Sequence, residues 1–160
     1  MILKLPIFVI LLFLTFTKSS ELITNQRTDY ELNLESASKY YLKKNNIPDT
    51  VLIKLVPTNY EEFKIYYETT EPDHNLGKTD FFYETTQLIF DKVTINKNWD
   101  FYIPSLNLAS FADGEYAEGF IENLKMIIEL DKQKFCNAIS EIKLRDRNPI
   151  KYYGELHRCK

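Results

Sequence analysis

The chain has 160 residues, 44% of them hydrophobic and 14% aromatic, enough for one compact domain with a substantial core. Its formal net charge is −3, from 20 basic and 23 acidic residues. A net acidic domain without a basic stripe argues against nucleic acid as a partner and against simple electrostatic docking to anionic membranes.

Met1 and Lys4 lead into an apolar run, Leu5–Phe16, followed by the small or polar Thr17, Ser19 and Ser20. A basic start, an apolar stretch and a small-residue exit read as a secretory signal peptide over residues 1–20. The run falls short of the roughly 20 apolar residues that a bilayer span needs. No integral membrane segment is therefore expected after cleavage, with a retained anchor as the alternative. The expected location is extracellular, or else a lysosomal or vacuolar lumen. Lys4 and Lys18 leave with the signal, so the 20 basic residues fall to 18 against an unchanged 23 acidic ones.

Beyond residue 28, period-two alternation recurs. Tyr30, Leu32 and Leu34 alternate with Glu31, Asn33 and Glu35, the pattern of a strand with one wet face. Only Ser36–Asn45 looks helix-capable, and its tyrosines leave even that stretch ambiguous. Val51, Ile53 and Leu55 suggest a second strand stopped by Pro57, and Phe63, Ile65 and Tyr67 a third across a hairpin connection. Thr70–Thr79, with Pro72, Asp73, Asn75 and Gly77, reads as an exposed loop.

Phe81–Ile95 is aromatic and β-branched, which predicts one long strand or two with a bend. Trp99–Ile103 looks extended and ends at Pro104, and Asp113-Gly114 is a turn signal. Along 115–130, Leu124, Met126, Ile128 and Leu130 alternate with Asn123, Lys125 and Glu129. The same stretch also reads as a helix, because Phe120, Leu124, Ile127 and Ile128 share a helical face. Gly119 and the preceding turn favour the strand. Phe135–Leu144 is the last predicted strand. The expected fold class is all-β: an antiparallel two-sheet sandwich or β-cup of about seven to nine strands with little helix. The single domain is placed at 21–147, with 148–160 as a C-terminal tail tied back by a disulfide.

The two cysteines, Cys136 and Cys159, would most simply pair with each other in an oxidising compartment. Free thiols and an intermolecular bridge are the alternatives. The two histidines, His74 and His157, sit in no zinc-spaced cluster, and no nucleophile elbow or glycine-rich phosphate loop occurs. The carboxylate pairs Glu61-Glu62 and Glu115 with Glu118 fit sheet edges kept soluble by charge better than glycosidase chemistry. These patterns imply no enzyme, no metal and no cofactor.

Residues 103–144 carry an ordered set of parts: Ile103-Pro104-Ser105-Leu106-Asn107-Leu108, then Phe111, then Gly114-Glu115-Tyr116, then Phe135-Cys136 through Lys143-Leu144. This order resembles the ML lipid-recognition superfamily, the group that includes lysosomal ganglioside activator-like proteins and related insect secreted families. Cys136 falls at the position of the family's late cysteine, and Cys159 has no counterpart there. The resemblance implies a β-cup whose sheets splay around an apolar cavity for a lipid tail.

The expected function is therefore a secreted binding protein for a lipid or other hydrophobic small molecule. Trp99, Phe101, Leu106, Leu108 and Phe111 are candidates for the cavity mouth or wall, and Leu124, Met126 and Ile128, on one side of the 115–130 stretch, are further lipid-contact candidates. Tyr102 or Lys97 could meet a polar head group. The alternative is a secreted protein-interaction module with an extracellular protein partner, whose tyrosines, such as Tyr40-Tyr41 and Tyr66-Tyr67, offer large contact area at low entropy cost.

Overall fold

Thr28 and Glu31 set the first element. The Thr28 hydroxyl accepts from the Glu31 amide at 3.2 Å, and the Glu31 carboxylate accepts from the Thr28 amide at 2.6 Å. This capping box satisfies two amides that a helix start leaves bare. The hydrogen bonds from Thr28 also hold the Glu31 carboxyl below its ordinary pKa. Helix α1 (Asp29–Leu42) follows, burying Tyr30, Leu34, Ala37 and Ser38 at the i, i+4, i+7, i+8 spacing of a helical face. The Tyr30 hydroxyl donates to the Leu55 carbonyl at 2.8 Å and ties α1 to the next segment.

The computed structural model describes residues 27–159, so the predicted signal peptide over 1–20 lies outside the described residues. Seven more helices follow α1. They are α2 (Asp49–Leu52), α3 (Tyr60–Tyr67), α4 (Phe81–Thr94), α5 (Tyr102–Ala109), α6 (Ala117–Leu130), α7 (Lys132–Ala138) and α8 (Ile150–Leu156), with short 3-10 turns between several of them. Of the described residues, 68% are helical and none is in a strand. That overturns the expected all-β sandwich or cup. The β-cup implied by the ML resemblance falls with it, because residues 103–144 form α5, α6 and α7.

Each misread stretch has a local reason. Along α3 the alternating Phe63, Ile65 and Tyr67 do not share a face; Phe63 and Tyr66 are the buried pair. Asn59 starts that helix by accepting from the Glu62 amide at 3.0 Å. Helix α4 buries Phe81, Phe82, Thr85, Thr86, Ile89, Phe90, Val93 and Thr94, adjacent pairs recurring every four residues. Its threonines are the β-branched residues that suggested a strand. Here Thr85 and Thr94 donate to the carbonyls four residues back, Phe81 at 2.6 Å and Phe90 at 3.1 Å, which a helix interior accommodates. Pro104 does not end an extended segment; it sits in the first turn of α5, where no intrahelical amide is required. Phe135–Leu144 is replaced by α7 and a 3-10 turn, started by Asp131 accepting from the Lys134 amide at 2.8 Å.

Helices α4, α5 and α6 pack against one another, with α1, α2 and α3 grouped beside them and α7 against α6. Aromatic rings fill the junction. Phe63 stacks on Phe111 at 4.6 Å, and Phe120 meets Phe90 edge-on at 5.7 Å. The Cys136–Cys159 disulfide brings the Cα atoms of α7 and the C-terminus to 4.9 Å. The stretch predicted as a tail carries α8, whose Ile150 and Tyr153 join the core. No helix among the described residues is long and apolar enough to cross a membrane.

Tyr66 is a polar anchor inside this core. Its ring is fully buried, and its hydroxyl lies 2.5 Å from Thr85 Oγ1 and 3.1 Å from Thr86 Oγ1. Burial pushes its phenol up to about 12, against the hydrogen bonds it shares with the two threonines, which pull it down. Tyr66→Phe should destabilise the domain by about 1–2 kcal/mol in urea unfolding, because the buried threonine hydroxyls lose a shared partner. An unchanged midpoint would show that this network contributes nothing.

Candidate binding site

Gly114 positions the open face of α6. Its φ of +62° turns the chain just before the helix, and the Asp113 carboxylate accepts from its amide at 2.8 Å. Helix α6 then runs beside α4, and the two are joined by an amide pair. Asn123 Nδ2 donates to Gln87 Oε1 at 3.1 Å, and Gln87 Nε2 donates back to Asn123 Oδ1 at 3.3 Å. Asn123 also donates to the Gly119 carbonyl, and Gln87 to Asp91, so both amides are held in place.

Above this pair lies a groove of about 650 Å³, open to solvent along one side. Phe120, buried, and Tyr116, half-buried, form its floor with ring centroids 5.2 Å apart. Tyr83 forms a wall and remains 48% exposed, so a ring face is available to an incoming group. Gly119 leaves the α6 face bare: a Cβ added there would meet no atom within 4 Å.

Every charged residue lining the groove is acidic: Asp80, Glu84, Glu115, Glu118 and Glu122. Glu115 accepts a hydrogen bond from the Tyr67 hydroxyl, which together with burial raises that phenol to about 12. Tyr83 and Tyr116 are also pushed up, first by burial and then by neighbouring carboxylates, among them Glu115. A negative field therefore covers an aromatic surface. The volume is in the range of small-molecule sites, although the open side also admits a chain segment. No family model matches this chain, and no significant match emerges among curated proteins or solved structures.

The residues predicted to contact a lipid lie elsewhere. Phe101, Leu106, Leu108, Phe111, Leu124 and Ile128 are buried in the core, while Trp99 and Met126 are exposed at 45% and 47%. None of the eight lines the α4–α6 groove. Trp99 carries the Lys134 ammonium 4.1 Å from its ring centroid. Tyr102, offered as a head-group contact, is buried, and Lys97 donates to the Thr94 carbonyl at 2.6 Å, beside the end of α4. His74 accepts from the Leu76 amide at 3.1 Å, and His157 packs between Phe135 and Tyr153.

Sequence reasoning missed Tyr83, Tyr116 and Gly119, and it assigned Glu115 and Glu118 to a sheet edge. A signal was present. Glu115, Glu118 and Glu122 recur at i, i+3 and i+7, and Asp80 and Glu84 at i, i+4, the spacings that align side chains on a helix.

Proposed function

We propose that this chain is an exported binding module that engages a protein partner through the α4–α6 groove. The observation that carries the reading is the groove itself: aromatic floor, exposed Tyr83 wall, bare Gly119 face and one side open to solvent. An open concavity with an exposed tyrosine suits the surface of another protein, since aromatic anchors that become fully desolvated on binding dominate interface energetics. Export is supported by the signal-like residues 1–20, and the Cys136–Cys159 bond is compatible with an oxidising compartment.

A lipid tail is a poorer occupant. An acyl chain gains about 0.8 kcal/mol per methylene taken out of water, which calls for an enclosed apolar cavity. This groove is open, and carboxylates rim it.

Site-specific photocrosslinking tests the role. A benzoylphenylalanine in place of Tyr83 should trap a discrete product in the fluid that receives the protein, and one in place of the exposed Leu32 on α1 should not. Excess wild-type protein should compete the product away, and Gly119→Leu protein should not. Equal trapping at both positions, or none at Tyr83, would refute a docking role for the groove.

A further inference from the structure

The charges around the groove deepen that reading and rest on it. The two i, i+4 ion pairs on the other helices join opposite charges, Glu35 with Lys39 at 2.8 Å and Lys64 with Glu68 at 3.8 Å. Where α1 places the like-charged Glu31 four residues before Glu35, Arg27 and Lys39 both pair with Glu35. At the groove the same spacings carry like charges, Asp80 with Glu84 and Glu118 with Glu122, and Glu115 stands three residues before Glu118. Like charges so placed destabilise a helix. None of the five carboxylates has an ion-pair partner among the described residues.

Helix dipoles favour acids near the starts of α4 and α6, which accounts for Asp80, Glu84 and Glu118. They do not account for Glu122, more than a turn further on, nor for the aromatic floor. Gly119 also lacks a structural reason. It lies inside α6, where alanine is the better helix former, and no neighbour would obstruct a side chain. Its absence of a side chain gives the groove its depth.

The acids are spread, not convergent. Glu122 on α6 stands seven positions after Glu115, which lies in the 3-10 turn before that helix, a rise of about 10 Å at helical spacing. Among the described residues no three metal-ligating side chains gather at one point. A single small cation would meet only part of this array, whereas a chain bearing successive charges would meet all of it. The exposed face of Tyr83 and the Tyr116 ring add cation–π surface between the two rows.

We propose that the α4–α6 groove receives a basic segment of the partner protein, which lays successive Lys or Arg side chains between the carboxylates of the two helices and over the tyrosine rings. Binding of fluorescein-labelled peptides to the intact protein tests this. A short peptide of alternating Arg and Ala should bind saturably and weaken as salt rises. Glu118→Gln with Glu122→Gln should reduce its affinity about tenfold, the sum expected from two rim ion pairs. Gly119→Leu should abolish binding while far-UV circular dichroism stays unchanged.

Equal binding of the Arg-Ala peptide by the wild type and the Glu118→Gln, Glu122→Gln protein would overturn the proposal. So would equal or better binding of a Glu-Ala peptide that Gly119→Leu abolishes; that result would keep the groove as a docking site and reject only the cationic partner. Spermine binding more tightly than the Arg-Ala peptide would reassign the groove to a polyamine. If neither peptide binds in a way that Gly119→Leu alters, and Tyr83 also traps nothing, the docking role and the charge assignment fall together.

Discussion

Leu124→Asp abolishes the folded state, seen as loss of the cooperative thermal transition in far-UV circular dichroism. Leu124 is completely buried on α6, on the same face as Phe120, Ile127 and Ile128. A carboxylate placed there loses its hydration without gaining a partner, and the penalty rivals a domain's whole stability of about 5–15 kcal/mol. Protonation would reduce the penalty, leaving a buried polar group and a poorly filled site. Leu124→Ala keeps the fold and grades the effect, with an expected destabilisation of about 3–4 kcal/mol from lost burial and the residual cavity. By contrast, Met126→Asp, two residues along on the exposed side of α6, should change stability by no more than about 0.5 kcal/mol. A cooperative Leu124→Asp transition at the wild-type temperature would contradict the placement of α6 against the core.

Removing the disulfide is the second large effect. Cys136 and Cys159 close a loop of sequence separation 23, which by chain entropy contributes about 3 kcal/mol to stability. The bond holds the end of α8 to α7, and α8 supplies the fully buried Ile150. Loss of the bond therefore weakens the core as well as the terminus. Cys136→Ser with Cys159→Ser should lower the thermal midpoint by about 10 °C. Ile150→Ala in the oxidised protein should be destabilising by about 2–4 kcal/mol, which separates core packing by α8 from the covalent link. Unaltered melting of the reduced protein would mean that the terminus does not share the domain's cooperative unfolding.

Several features were legible in the residues. The helical reading of 115–130, from Phe120, Leu124, Ile127 and Ile128, names four of the five residues that α6 buries. The Asp113-Gly114 turn holds the one glycine with positive φ among the described residues. Cap signals were also readable. Thr28 with Glu31 and Asn59 with Glu62 are three-residue spacings that announce helix starts, and the reading by alternation passed over both. That alternation misled because it is short. Tyr30, Leu32 and Leu34 fit a strand, yet in the fold Tyr30 and Leu34 are buried and Leu32 is 51% exposed, as a helix requires. The aromatic and threonine content of Phe81–Ile95 pushed in the same direction. Propensity gives way there because burial repeats every four residues and the threonine hydroxyls find carbonyl acceptors one turn back.

Residue order by itself determined that this chain could fill one apolar core, where several helices could begin, and that two cysteines lay near its end. Only the tertiary structure decided between helix and strand throughout, because short apolar repeats satisfy both periods until packing selects which residues are buried. It also made the groove. Tyr83 and Glu115 stand 32 residues apart and Gln87 and Asn123 stand 36 apart, so no local pattern could place them together. The pairing of α4 with α6 is a property of the packed core, and the acidic aromatic surface exists only as its outer face.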